Sequence, residues 1–221
     1  MLSSHARLQA RQGQHAPPRH EYLQQLVDEF QRSVHPLRRE EIVANLANFA
    51  YDPINYAALA HLQVMDLFLD LLDSDLHPTH DDSQASAGHT ASKRPFSSAS
   101  SCLLAEFALG GICNCIADLA LQASFVAGDG LSLVTPYIWS IGDDPHEPLT
   151  SRQYAGRLRA VLAALTIAFF LLDSRAFADV TSERLRGHIE SLEFHANTQI
   201  ANIAAAYRAR YEELLACAVI P

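Results

Sequence analysis

Two groups of residues have side chains that could do chemistry or hold a partner. The first is the run H-x-x-H-D-D at His77, His80, Asp81 and Asp82, which combines divalent-metal ligands with a possible general base. It lies in a stretch rich in serine, histidine and aspartate, where no rigid shell would orient the ligands. No glycine-rich phosphate loop, nucleophile elbow or H-E-x-x-H motif accompanies it. A metal-dependent hydrolase is therefore only an alternative, and we predict no enzyme, no metal site and no cofactor.

The second group is an asparagine shared by three similar segments, LANFA, ICNCI and IANIA, which contain Asn48, Asn114 and Asn202. Asparagine is a poor helix former because its side chain competes for backbone hydrogen bonds. Along one face of a stacked array, such amides could satisfy the backbone of an extended partner peptide. The alternative is that each amide braces a loop of its own scaffold.

Tyr51 and Tyr56 follow Asn48 closely and could anchor the same partner, because aromatic side chains are enriched among residues that carry binding energy. Ordinary packing is the alternative for both. We therefore predict a partner-binding site formed by the three asparagines and these two tyrosines.

The elements that must position these residues are all helical, and no strand with alternating apolar residues is found. Leu23, Leu26, Val27 and Phe30 form a first apolar face at helical spacing. Later signals include Asp52-Pro53, which predicts a helix start, and Gly110-Gly111, which predicts a close approach of a neighbouring helix. The apolar run from Val161 to Leu172 is shorter than the roughly 20 residues of a membrane helix and predicts a buried core helix.

Composition divides the 221-residue chain. Residues 1–20 contain arginine but no acidic residue and predict a disordered tail, with a mitochondrial presequence as the alternative. Residues 21–221 form one predicted repeat domain. Residues 73–101, rich in serine, histidine and aspartate, predict a disordered insertion within it.

Charge and cysteine content limit the possible partners. The formal net charge is −9, so the chain has no general attraction for phosphate backbones. Nucleic acid would be contacted only indirectly, through a basic partner. The four cysteines show no disulfide or zinc spacing, and we predict that they are small buried residues in a reducing compartment.

A family resemblance follows from the repeats. Without the insertion, the similar segments are spaced by multiples of about 40 to 44 residues, in the range of helical solenoids. The segments ANLANFAYDPINY and LQVMDLFLDLL resemble the armadillo repeat-containing protein 7 family, and EFALGGICN resembles the next repeat of that family. The match is strongest over 38–75. Leu121 replaces a usual polar residue, 162–169 lacks the asparagine and Pro136 is unusual in a closing helix.

The resemblance implies an all-α, short right-handed armadillo-type α-solenoid that acts as a protein-binding scaffold. It further implies a subunit of the minor spliceosome, active in pre-mRNA splicing in the nucleus. Its implied partner is an RNA-recognition-motif protein similar to RNA-binding motif protein 48, with no membrane contact. The alternative is a generic armadillo adaptor for another complex, in the cytoplasm or the mitochondrion.

Overall fold

The computed structural model describes residues 4, 6–7, 17–77, 99–140 and 151–218. Among these residues it contains eleven α-helices and no strand, which confirms the all-α prediction. The α-helices, in chain order, are α1 (Arg19–Arg32), α2 (Pro36–Ala50), α3 (Tyr56–His61), α4 (Val64–Leu76), α5 (Ala99–Cys115), α6 (Leu119–Ala127), α7 (Gly130–Trp139), α8 (Ser151–Leu171), α9 (Phe177–Val180), α10 (Glu183–Ser191) and α11 (Thr198–Ala218). Short 3-10 turns occur at Pro53–Asn55 and Leu192–Phe194.

The helices stack as the repeat units of a solenoid. Helices α2, α5, α8 and α11, which we call the ladder helices, each pack against the next one along the chain. Two shorter helices precede each of the last three ladder helices, and α1 precedes the first. This alternation confirms the predicted armadillo-type solenoid, in which no unit buries its apolar face alone.

The second and third units share their local geometry as well as their helix order. Gln63 and Asp129, immediately before α4 and α7, both have the left-handed backbone conformation, with φ of 53° and 52°. The two positions differ by the same number of residues as Asn48 and Asn114 do. A left-handed residue that is not glycine is uncommon. Its recurrence at matching positions therefore identifies two copies of one repeat.

A continuous apolar core joins the units, with a few polar groups inside it. The predicted first face is confirmed, because all four of its residues, from Leu23 to Phe30, are buried. Between the second and third units, the buried Tyr137 hydroxyl donates to the Asp75 carboxylate at 2.8 Å. In the same layer, Arg159 of α8 donates to the buried Glu106 of α5 at 2.5 Å.

The predicted boundaries of the insertion and of the tail need correction. Helix α4 continues to Leu76, because Leu76 and Asp75 are both buried, and α5 already begins at Ala99. Residues 73–76 and 99–101 are therefore helical, and 78–98 lie outside the described residues. Helix α1 likewise starts at Arg19, within the predicted tail, and most of residues 1–16 fall outside the description.

Helix α8 is the core helix that the apolar run predicted. The segment Tyr154–Leu171 is long and apolar enough to cross a membrane by length and composition alone. Half of that segment is nevertheless buried inside the protein, where α8 packs against both α5 and α11. Such packing accounts for the apolar run as the interior of a solenoid.

Two local predictions are only half right. Gly111 does permit a close approach, because a Cβ there would lie 2.5 Å from the Phe68 ring, whereas nothing lies within 4 Å at Gly110. Cys115 is buried, and burial raises the pKa of its thiol to about 12. Cys113, however, is half-buried and Cys217 is exposed, so the prediction of buried cysteines is wrong for Cys217.

Candidate asparagine-bearing surface

Asn48 and Asn114 occupy matching places, close to the carboxyl ends of the adjacent ladder helices α2 and α5. The Asn48 side chain is exposed and forms no hydrogen bond with any described residue. Asn114 is half-buried, and its Nδ2 donates to the Ala47 carbonyl at 3.0 Å. This bond places Asn114 beside the residue that precedes Asn48. The Asn114 amide therefore lies against the end of α2 that also carries Asn48, and a shared role in partner binding stays a prediction.

Asn114 is used by the scaffold on both its side chain and its backbone. Its amide joins α5 to α2, and its backbone carbonyl accepts a hydrogen bond from the Tyr56 hydroxyl at 3.0 Å. Its Oδ1 accepts no hydrogen bond from the described residues and stays available to a partner. Asn114 thus holds α5 against α2 through its amide, and this scaffold role leaves its Oδ1 for a partner.

The two tyrosines are placed differently. Tyr51, one turn after Asn48, is 58% exposed and its hydroxyl bonds no described residue. Tyr56 is half-buried and packs against the core, and its hydroxyl donates to the Asn114 carbonyl. Burial raises the pKa of Tyr56, with nearby acidic groups acting in the same direction. Tyr51 is therefore exposed enough to meet a partner. The observed contacts of Tyr56 are packing contacts, and its role in partner binding stays a prediction.

Asn202 occupies a different place on its ladder helix from Asn48 and Asn114. It lies near the start of α11, whereas Asn48 and Asn114 lie near the ends of their helices. Arg210, in the second half of α11, donates at 2.6 Å to Asp173, which follows the end of α8. Asn202 is about 12 Å from Arg210 along the helix axis at 1.5 Å per residue, and so lies away from this contact with the end of α8. A contact between the exposed Asn202 and a partner remains a prediction, on another part of the surface.

Half-buried, uncharged side chains also lie on α5 and α8, which pack against each other. On α8, Leu162, Thr166 and Phe169 recur at helical spacing and are all half-buried, as Phe107 is on α5. Burial raises the pKa of the Cys113 thiol on α5, so the thiol is protonated at neutral pH. Thr166 lies close enough to Cys113 to lower the pKa of its thiol slightly, against the effect of burial. These side chains of α5 and α8 are therefore uncharged at neutral pH.

Sequence reasoning missed the residues that hold the helix ends below this surface. The buried Asn55 donates to the Phe49 carbonyl at 2.7 Å and accepts from Arg19 at 3.1 Å. In the next repeat, where Leu121 replaces the expected polar residue, the neighbouring Gln122 donates to the Ile116 carbonyl at 3.2 Å. The polar residue is displaced by one position rather than lost. The signal was an amide residue next to the expected position.

Of the alternative metal run, only His77 is described. Its Nδ1 lies 3.0 Å from a carboxylate oxygen of Asp73, one turn earlier on α4. The other three residues, His80, Asp81 and Asp82, lie outside the described residues.

Comparison with known proteins assigns the repeat. The chain is similar to Armadillo repeat-containing protein 7 of Mus musculus, with 57% identity over 54 residues. Over that length, the chain resembles an armadillo repeat protein. The matched residues are 24% of this chain and 27% of the relative, so the chain spans about a quarter of the relative's length. No protein-family model matches the chain. The armadillo match and the stacked helices together support a protein-binding repeat scaffold.

Proposed function

We propose that this chain is a non-catalytic scaffold that binds a protein segment along the surface marked by Asn48, Tyr51 and Asn114. The observation that carries the proposal is the difference between the two asparagines. Asn114 has a scaffold bond, but the exposed Asn48 has none with any described residue. A helix-disfavouring residue without a structural task suits a binding role.

The surface offers the chemistry that an extended segment needs. The Asn48 amide supplies a donor and an acceptor, and the Oδ1 of Asn114 supplies a second acceptor beside it. Tyr51 adds an exposed aromatic side chain of the type that dominates interface energies. Main-chain groups of a partner would pair with the amides, and its apolar side chains would rest on the half-exposed residues of α5 and α8.

The finer proposal concerns the biological setting. We propose a nuclear subunit of the minor spliceosome that acts in pre-mRNA splicing through a protein similar to RNA-binding motif protein 48. The net charge of −9 supports a division of labour in which that partner contacts the RNA. The choice of partner follows from the family resemblance of the sequence, and that resemblance is supported by the similarity to Armadillo repeat-containing protein 7.

Mixing the purified chain with purified RNA-binding motif protein 48 at micromolar concentration tests the choice of partner. Size-exclusion chromatography should give one stoichiometric complex. Elution as two separate peaks would contradict this choice. The same tagged chain should recover minor-spliceosome proteins from nuclear extract. Recovery of unrelated cytoplasmic or mitochondrial proteins instead would move the function to an adaptor of another complex.

A further inference from the structure

A second surface, which contains neither Asn48 nor Asn114, is formed where α1 meets α4. A groove of about 370 Å³ opens there between the second half of α1, the start of α2 and one side of α4. Its apolar floor consists of Val27, Phe30, Leu67 and Leu71. A cavity of this size is at the lower end of ligand sites and has room for an anchoring side chain.

One rim of the groove is acidic. Asp66 and Asp70 are exposed and lie four residues apart on α4, so their carboxylates share one face of the helix. Neither carboxylate forms an ion pair with any residue that the structure describes. Their charges are therefore available to a cation from outside.

The groove already holds one cation of its own. Among its lining residues, all of which are described, Arg39 alone is basic. The Arg39 guanidinium lies 4.2 Å from the centre of the Phe30 ring, a cation–π contact. With two carboxylates against one guanidinium, the lining has a surplus of negative charge. An arginine or lysine is thus the complementary group for the vacant part of the rim.

We propose that this groove docks a basic segment of a protein partner. One bulky apolar side chain of the segment would rest on the floor at Leu67 and Leu71. Flanking lysine or arginine side chains would pair with Asp66 and Asp70. The site extends the scaffold to a second contact and stands independently of the asparagine-bearing surface.

Fluorescence anisotropy with the full chain tests the proposal, using a fluorescein-labelled 12-residue peptide that has one central leucine flanked by lysine and arginine. We expect saturable binding that weakens as salt rises, because exposed charges are screened. Asp66→Asn with Asp70→Asn should weaken binding by about threefold to tenfold. Leu67→Ser should also weaken it. All three positions are partly or fully exposed, and thermal unfolding of the variants checks that the fold is retained.

The matched control removes the same charge elsewhere. Asp179 and Glu183, at α9 and α10, form no ion pair with a described residue, and Asp179→Asn with Glu183→Gln should leave the affinity within about twofold. Equal weakening by both pairs of substitutions would reduce the effect to a general attraction and overturn the proposal. So would unchanged binding of a peptide with serine in place of leucine. Dimerisation of the chain that is lost in the Asp66 and Asp70 variant would assign the groove to a second copy and also overturn it.

Discussion

At the scale of single residues, Asn48 and Asn114 have different roles. Asn114 joins two ladder helices through the Ala47 carbonyl, whereas the Asn48 side chain makes no hydrogen bond with a described residue. Two asparagines at the same position of the repeat can therefore differ in role. One binds its own scaffold, and the other is exposed and available to a partner.

Substitution by alanine separates these tasks. Asn114→Ala should lower the free energy of unfolding by about 1 kcal/mol, because the bond to the Ala47 carbonyl is lost. Asn48→Ala should leave it unchanged or raise it by up to about 0.5 kcal/mol, because alanine is the better helix former. Urea denaturation of both variants gives the comparison. Equal losses at the two positions would show that Asn48 also braces the scaffold.

His188 makes the stability of the last unit depend on pH. Its ring stacks on Trp139 with centroids 4.2 Å apart, and its Nε2–H donates to the Ile138 carbonyl at 3.3 Å. Burial lowers the pKa of His188, and the hydrogen bond to the carbonyl opposes this shift. The neutral ring is therefore the form that the folded chain favours.

Because the folded pKa lies below the ordinary value near 6.5, the unfolded chain takes up the proton first as the pH falls. The contribution of His188 is complete above that value and is lost as the pH drops below it. We expect the free energy of unfolding to fall between pH 7.5 and 5.5, and less steeply in His188→Gln. Thermal unfolding across this range provides the measurement. Identical pH profiles of the two proteins would remove His188 from the explanation.

At the scale of the helix, the adjacent glycines Gly110 and Gly111 of α5 have different surroundings. A Cβ at Gly111 would meet the ring of Phe68, which is buried and cannot move aside, whereas Gly110 faces open space. Close packing of α5 on α4 thus depends on one glycine of the pair.

Gly110→Ala and Gly111→Ala form a matched test of this packing. Gly110→Ala should raise the free energy of unfolding by about 0.5 to 1 kcal/mol through helix propensity alone. Gly111→Ala should lower it by about 1 to 3 kcal/mol, because the added methyl group overpacks the contact with Phe68. Thermal denaturation of the two variants decides between them. A stabilising Gly111→Ala would show that the helices can separate without loss.

The helices and their apolar faces were predictable because helical periodicity is local in the sequence. The end of α4 was not predictable, because Asp75 is a residue type common in loops. Only the hydrogen bond from Tyr137, which is distant in the chain, explains why Asp75 is part of the helix. The same limit explains Asn202, whose sequence neighbours imitate the repeat although the helix starts in a different place. Residue patterns predict an element, but contacts between elements fix where it ends and which residues share a surface.

At the scale of the whole molecule, a solenoid separates stability from recognition. The apolar core runs through all of the units, and Asn48 and Tyr51 lie outside it. Asn48 and Tyr51 can therefore be changed without loss of packing, which makes them the sharpest probes of function. The net charge of −9 directs such a scaffold toward a protein segment rather than toward nucleic acid.

The most direct test is the affinity of the chain for RNA-binding motif protein 48, measured by titration calorimetry with Asn48→Ala plus Tyr51→Ala beside a control, Gln199→Ala at the exposed start of α11. We predict that the double substitution weakens binding by at least about tenfold, equivalent to about 1.4 kcal/mol, without lowering the unfolding temperature. The control should bind as the unchanged chain does. Equal affinities of all three proteins would contradict the assignment of the asparagine-bearing surface as the binding site.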